Sequence, residues 1–442
     1  MNVIVAGGGL AGSEAALYLA NKGVKVKLYE MRPNKTTGAH TSSDFAEFVC
    51  SNSLGALDVK SASGLLKEEA RQLGSILIEQ AYKSKVPSGN SLSIDRWGFS
   101  AAITKIIEEH PNIEIIREEL THIPNTPAII ATGPLTSDVL CTEIKNITGE
   151  DNFHFFDAIA PIVKKDSINF DKAFYASRWD KGDADFINCP LEKEEYENFY
   201  NILINSEKIP LKSFEAKYFE GCMPVEVLAG RGKDTLRFGP MKPVGLFDKR
   251  TRKREHKNYQ FYAVVQLRQD DKEADLYNLV GFQTNLKWGE QKRLLAAIPG
   301  LENAQIVRHG VMHANTFINS PKILNKTLQA RFNQDLFFAG QITGVEGYSE
   351  SIATGLFAGI NMYRYLKGEK LIELEPKSML GALLDYITFD GHKSFQPVNS
   401  NWGIIKKPQG FDQIKKNKEE KGALLSSIAL EYIKEIRNGY FC

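Results

Sequence analysis

The sequence predicts an α/β fold in which one domain is split around a smaller inserted α+β domain. Three observations carry that reading. A glycine-rich turn joins a strand-like and a helix-like run at the N-terminus, a turn of the same kind recurs beyond residue 335, and the chain changes character between about 166 and 307. With 442 residues there is room for two domains. The net charge of +1 gives no general attraction to nucleic acid, so any such role must rest on a local patch. MNVIVAGGG lacks a basic n-region, so no signal peptide is expected. No apolar run approaches the ~20 residues that span a bilayer. Five cysteines (Cys50, Cys141, Cys189, Cys222, Cys442), odd in number and widely spaced, suit a reducing cytoplasm and give no disulfide framework.

In VIVAGGGLAGSEAALYLANKGVKVKLYE, Asn2–Ala6 reads as a buried parallel strand and Ser13–Asn21 as a packed helix. Between them lies Gly7-x-Gly9-x-x-Gly12. The first glycine permits the tight turn, the second lets backbone approach a pyrophosphate, and the third lets the helix pack on the sheet with its N-terminus towards the phosphates. Val24–Tyr29 supplies a second strand ending at Glu30, 18 residues past Gly12, where an acid can accept from a ribose hydroxyl. Strand, turn, helix, strand and acid in order make a dinucleotide site the stronger reading over a structural turn.

DLFFAGQITGVEGYSESIATGLFAGINMYRYL selects FAD. A strand (Leu336–Ala339) leads into a turn with Gly340, Gly344 and Gly347, and then into a small-residue helix. Such a turn offers amides and a positive dipole end to another electron-rich part of a cofactor. Two cradles far apart in sequence suit a long ligand bound to an interrupted, Rossmann-like domain. A competing role for this helix is packing through Gly355 and Gly359, and the two roles are compatible. AIIATGPLTS (Ala128–Ser137) reads as a further strand of the same domain, or as a plain strand exit. The expected division is 1–165 and 308–442 for the FAD domain and 166–307 for the insertion.

Within the insertion, YAVVQLRQ (Tyr262–Gln269) alternates as a strand. KRTRKREHK carries six Lys or Arg in nine positions: Lys249, Arg250, Arg252, Lys253, Arg254 and Lys257. A solvated loop and a phosphate-gripping hairpin are equally good readings. A weaker lysine group, Lys406–Lys421, is interspersed with acids.

No two cysteines lie closer than 33 residues, so the CxxC of a flavin disulfide reductase is absent. Cys50, in FAEFVCSNSLGA, and Cys222, in FEGCMPVE, nevertheless occupy polar, loop-like contexts. Together with VIVAGGGLAGSEAA, YEMRP, the Pro-Ser-Gly of VPSG, FFDAIAPIV, DTLRFGPMKPVGL, VVQLRQD, HGVMHANTFINSP, LFFAGQITGVEGYSES and LGALLDYI, these stretches resemble the folate- and FAD-dependent tRNA (uracil-5-)-methyltransferases in family order along nearly the whole chain.

The resemblance implies a thiolate adding at uracil C6, which makes C5 nucleophilic. It implies a one-carbon unit from 5,10-methylenetetrahydrofolate and reduction by NADH or NADPH through FAD. Carried over by motif, Cys222 is the C6 nucleophile and Cys50 the second thiol, acting as base or flavin guard. FAD falls to Gly7, Gly8, Gly9, Leu10, Ala11, Gly12, Glu30, Arg32, Gly340, Gln341, Gly344, Glu346, Gly347 and Tyr348, with Tyr348 against the isoalloxazine. His313 falls to the pterin. His309, four residues earlier, raises a metal site, but no third ligand is near and none is expected. The RNA partner would meet Lys249–Lys257, its target base leaving the stack.

Two departures stand out. The family has Arg after the motif's His and often Tyr before its Gly, where this chain has Ala314 and His309. The expected target is the T-loop uridine of tRNA. A ribosomal-RNA uridine is the alternative, as are an FAD-dependent small-molecule oxidoreductase and a flavin-bearing RNA-binding protein.

Overall fold

The computed structural model describes residues 2–151, 153–210, 223–251, 258–413 and 417–440. Cys222, Arg252, Lys253, Arg254 and Lys257 therefore lie outside the described residues. Four of these come from the expected basic hairpin, and the fifth is the expected nucleophile.

Asn2–Ala6 is the central strand of the first sheet. Its Val3, Val5 and Ala6 are buried, as befits a strand covered on both faces. It pairs in parallel with Lys25–Tyr29 on one side and with Ala128–Ile130 on the other. Ile113–Ile116 extends the sheet past the former, and Asn333–Phe338 extends it past the latter, both in parallel. A short antiparallel strand, Gln329–Ala330, forms one edge. The strand that follows the insertion thus lies only one strand from the N-terminal strand.

The helices Leu10–Asn21 and Tyr348–Lys367 pack on this sheet against each other. A Cβ on Gly355 would meet the Ala11 carbonyl oxygen at 2.3 Å, and one on Gly340 would meet Ala11 Cβ at 2.7 Å. Packing through Gly355 and cradle formation therefore coexist: close approach of the helices puts their N-termini side by side.

A second, wholly antiparallel sheet has its own core, which includes Ile187, Tyr196, Phe199, Val265, Leu267 and Leu279. Its strands run in the order Phe174–Ala176, Phe186–Leu191, Ala263–Gln269, Leu276–Leu279, Ile162–Lys164 and Ile306–Arg308. It thus draws Ile162–Lys164 from before residue 166 and Ile306–Arg308 from across residue 307. Such three-residue strands carry no turn signal that would mark a boundary. Between the two sheets, Phe153–Ala158 and Met312–Phe317 pair antiparallel, with His313 opposite Asp157. The chain passes from the parallel sheet to the antiparallel sheet and back along this ribbon. Among the described residues, no helix is long and apolar enough to cross a membrane and no side-chain group could hold a metal.

Candidate active site

A cleft opens at the ends of the parallel strands, where the two helix N-termini meet. Gly7, Gly9, Leu10, Ala11, Glu30, Gly340, Gln341 and Tyr348 line it, together with the Ala131–Ser137 turn of AIIATGPLTS. The first glycine turn is built as its spacing implies. Gly7 sits at φ +99°, its N–H donating to the Tyr29 carbonyl at 2.8 Å. A Cβ on Gly12 would lie 1.8 Å from the Gly7 carbonyl oxygen, so the helix closes tightly on the turn. A Cβ on Gly9 would meet nothing within 4 Å, because that side is the open cleft. Gly9 caps the helix with no side-chain partner for the first amides and no acid in the first turn. The arrangement leaves amides and positive dipole facing the open cleft, which fits a pyrophosphate.

Not every expected cofactor residue faces the cleft. Gly8, Gly12, Arg32, Gly344, Glu346 and Gly347 support it from behind: Gly8 packs under Phe45, and Gly344 abuts Phe395. Glu30 faces the cleft, but its carboxylate already has four donors. Oε1 accepts from the Arg32 N–H (3.0 Å) and Nε (2.9 Å), while Oε2 accepts from the Gly8 N–H (2.9 Å) and Arg32 Nη2 (3.2 Å). Those four bonds use its acceptor sites, so a ribose hydroxyl has to displace one of them. Burial works to raise the Glu30 carboxyl, but the hydrogen bond and charge of Arg32 outweigh it and hold it below the ordinary value. Arg32 in turn donates to Glu47 at 2.9 Å.

Cys50 stands at the Tyr348 end of the cleft and is held by three elements. Its N–H donates to the Tyr348 hydroxyl at 2.7 Å, its carbonyl accepts from Arg96 Nη1 at 3.2 Å, and its thiol points at the Ala158 carbonyl of the ribbon at 3.6 Å. Tyr348 opens the second helix and lies against Phe48, their ring centroids 4.3 Å apart. Close by, Gln341 donates to Glu346, whose carboxyl is pushed up by burial and by the charge of Asp157. Tyr348, Glu346, Gln341 and Cys50 therefore converge from sites about 300 residues apart in sequence.

His313 lies on the ribbon beside the loop of His40. A Cβ on Gly38 would sit 3.5 Å from His313 Cε1. Burial, helped by the charge of Arg308 for His313 and of Arg32 for His40, lowers each imidazole to about 4. Both rings are neutral at physiological pH, and His313 Nε2 is buried without a partner. His309 instead stacks on Trp288.

The described cations of the basic run differ. Lys249 is exposed and pairs with Asp180 at 3.0 Å. Arg250 is engaged by Asp248 and by the carbonyls of Phe170 and Ala173. The chain just past Cys222 is anchored. Val225 N–H donates to the Gln283 carbonyl at 2.7 Å, and Asn285 N–H, two residues past Gln283, donates to the Glu226 carboxylate at 2.8 Å. Thr284 N–H reaches the Ile159 carbonyl, one residue past the ribbon carbonyl that Cys50 meets.

Several site residues carry no sequence signal. Arg96, Asp270, Asn52 and Arg308 act across separations that no local pattern reports. Arg96 Nη2 meets Asp270 at 2.7 Å, and Asn52 Nδ2 donates to the carbonyls of Ile94 and Gln269. Arg308 donates to the carbonyls of Ala39 and Val49.

Residues 2–370 match the family model described as Glucose inhibited division protein A. The chain belongs to this family. It is 54% identical over 432 residues to the methylenetetrahydrofolate--tRNA-(uracil-5-)-methyltransferase TrmFO of Brevibacillus brevis, covering 98% of this chain and 97% of that protein. The protein of the same name from Anoxybacillus flavithermus is 54% identical over 434 residues, 98% of each chain. Among solved structures, Aquifex aeolicus GidA aligns with a TM-score of 0.68 at 17% identity, covering 99% of this chain and 76% of that one. That likeness shows the α/β fold alone.

Proposed function

We propose that this protein is an FAD-dependent transferase that methylates C5 of a uridine in tRNA, with the carbon taken from 5,10-methylenetetrahydrofolate and the electrons from NADH or NADPH. What supports it is one juxtaposition: a thiol, Cys50, fixed by three elements at the end of a dinucleotide cleft, in a chain 54% identical over nearly its whole length to proteins of that name. When bound, FAD and the folate supply reducing power and the one-carbon unit.

In this reading the residues divide the remaining work. Gly9 and the amides of the first helix turn bind the pyrophosphate, and Tyr348 and Gln341 orient the flavin end. The neutral His313 ring would hold the pterin. The Cys222 thiolate gives its electron pair to C6 of the uracil, and the C5–C6 π pair moves towards C5 and the C4 oxygen. C5 then attacks the one-carbon electrophile, and a base takes the C5 proton. The electron pair left behind breaks the bond to the carrier and gives an exocyclic methylene; hydride that the bound cofactor would supply converts this methylene to methyl as the C5–C6 double bond re-forms and the Cys222 thiolate leaves C6. Cys50 is the second thiol, as that base or as guard of the flavin. The Lys249–Lys257 run contacts the RNA backbone. Residues 1–165 and 308–442 form the cofactor domain around the insertion, in a cytoplasmic enzyme.

The test supplies FAD, folate and each nicotinamide to the purified protein with tRNA and rRNA separately, then maps 5-methyluridine by mass spectrometry. The expected product is methylated T-loop uridine, lost in Cys222→Ala while the flavin stays bound. Product confined to rRNA would move the target, and full activity in Cys222→Ala would remove the assigned nucleophile.

A further inference from the structure

Trp288 opens the helix Trp288–Ala296 and is 60% exposed, unusual for the largest apolar side chain. One face is covered by the His309 ring, with centroids 4.8 Å apart and planes 18° from parallel, and the other faces solvent. Burial lowers the His309 pKa, so the covering ring stays neutral near pH 7.

The pair is fixed to the ribbon. Gln291, fully buried one turn along the same helix, exchanges two 2.8 Å hydrogen bonds with the backbone N–H and carbonyl of Gly310. A Cβ on Gly310 would lie 2.7 Å from the Ile159 carbonyl oxygen, and Ile159 follows the residue whose carbonyl meets the Cys50 thiol. With ~3.8 Å per peptide step added to these contacts, the path from the exposed ring to that thiol is on the order of 20 Å, which sets the scale of their separation. A strand that presents one base to Cys50 covers this distance in a few nucleotides.

We propose that Trp288 and His309 form a stacking platform for an unpaired nucleobase of the RNA strand that carries the target uridine, an inference that rests on the function proposed above. Every base offers a flat π face, so such a platform holds RNA without reading its sequence. Charge favours RNA over an apolar partner through the exposed Lys292 on the next turn, while the flanking Lys287 and Arg293 are already paired with Glu207 and with Glu290 (2.6 Å) and add cationic surface that is partly neutralised.

The test measures the dissociation constant of a fluorescent T-loop hairpin RNA for the oxidised, FAD-loaded protein without folate. Trp288→Ala should raise it about tenfold, the scale of one lost base–aromatic stack. Trp288→Phe and His309→Tyr should stay within about threefold, with flavin absorbance unchanged. Lys292→Glu should raise it too and reduce its salt dependence. An unchanged constant in Trp288→Ala overturns the platform, and so does a variant that keeps RNA affinity but loses self-association on gel filtration, which would make this face a protein interface. Wild-type protein that binds the hairpin without methylating it would sink the proposed function and leave the platform standing.

Discussion

Replacing Asp270 by alanine tests how the insertion holds the Cys50 loop. The Arg96–Asp270 pair joins the helix Arg96–Glu108 to the residue that follows the strand Ala263–Gln269 at 2.7 Å, with side chains 1% and 0% exposed. Burial alone would lower the Arg96 pKa, but the Asp270 charge outweighs it and raises it. The other end of the same guanidinium donates to the carbonyls of Phe48 (3.1 Å) and Cys50 (3.2 Å). Removing the carboxylate strands this buried cation and takes one acceptor from Asn278, which keeps its bond to Asn52. Breaking one side of such a pair costs about 3–5 kcal/mol. Urea unfolding of the FAD-loaded protein, followed in parallel by circular dichroism and flavin fluorescence, should show that loss. Iodoacetamide labelling of Cys50 should quicken, because its carbonyl loses a fixed donor. The paired change Arg96→Leu with Asp270→Leu should recover most of the stability, since no buried charge remains. A loss below about 1 kcal/mol in Asp270→Ala, with labelling unchanged, would refute the latch.

Two further outcomes are expected. Gly9→Val projects into open cleft and should yield folded protein without flavin, whereas Gly12→Ala, with a Cβ 1.8 Å from the Gly7 oxygen, should fail to accumulate as soluble protein; expression and flavin absorbance separate them. Glu69 accepts the Met379 and Leu380 amides, and burial, only partly opposed by those bonds, raises it from 4.5 to about 7. The folded state therefore holds a proton that the unfolded state has released, so this contribution is full below about pH 4.5 and is lost as the pH rises through about 7. The stability gap between wild type and Glu69→Gln should narrow across that window, measured by urea midpoints; a gap that widens with pH reverses the sign and removes the explanation.

What could be read from the sequence was local. Gly7, Gly9 and Gly12 announce their turn because the three constraints lie within six residues. The second cradle was legible for the same reason, whereas its position beside the first depends on Ala11 meeting Gly355, a contact between distant helices. Glu30 shows the limit of a motif. Its place was legible, but not that Arg32 and Gly8 already occupy its oxygens. Glu14, inside an Ala-rich helix, looks like an ordinary surface acid, yet it is fully buried and accepts from Ser75, Ile76 and Leu77. Arg96 with Asp270 and Glu69 with Met379 span 174 and 310 residues, and single-sequence patterns hold no trace of such partners.

The position of Asn333–Phe338 beside Ala128–Ile130 sets an order of events during synthesis. A nascent chain that has emerged only to residue 308 already carries every strand of the antiparallel sheet, but its parallel sheet still lacks a neighbour and the second helix N-terminus is missing. The antiparallel sheet can close first, while the cleft between the two helix N-termini waits for the last quarter of translation. A ribosome stalled in that interval would hold a chain with one finished half and one exposed, ligand-incompetent edge.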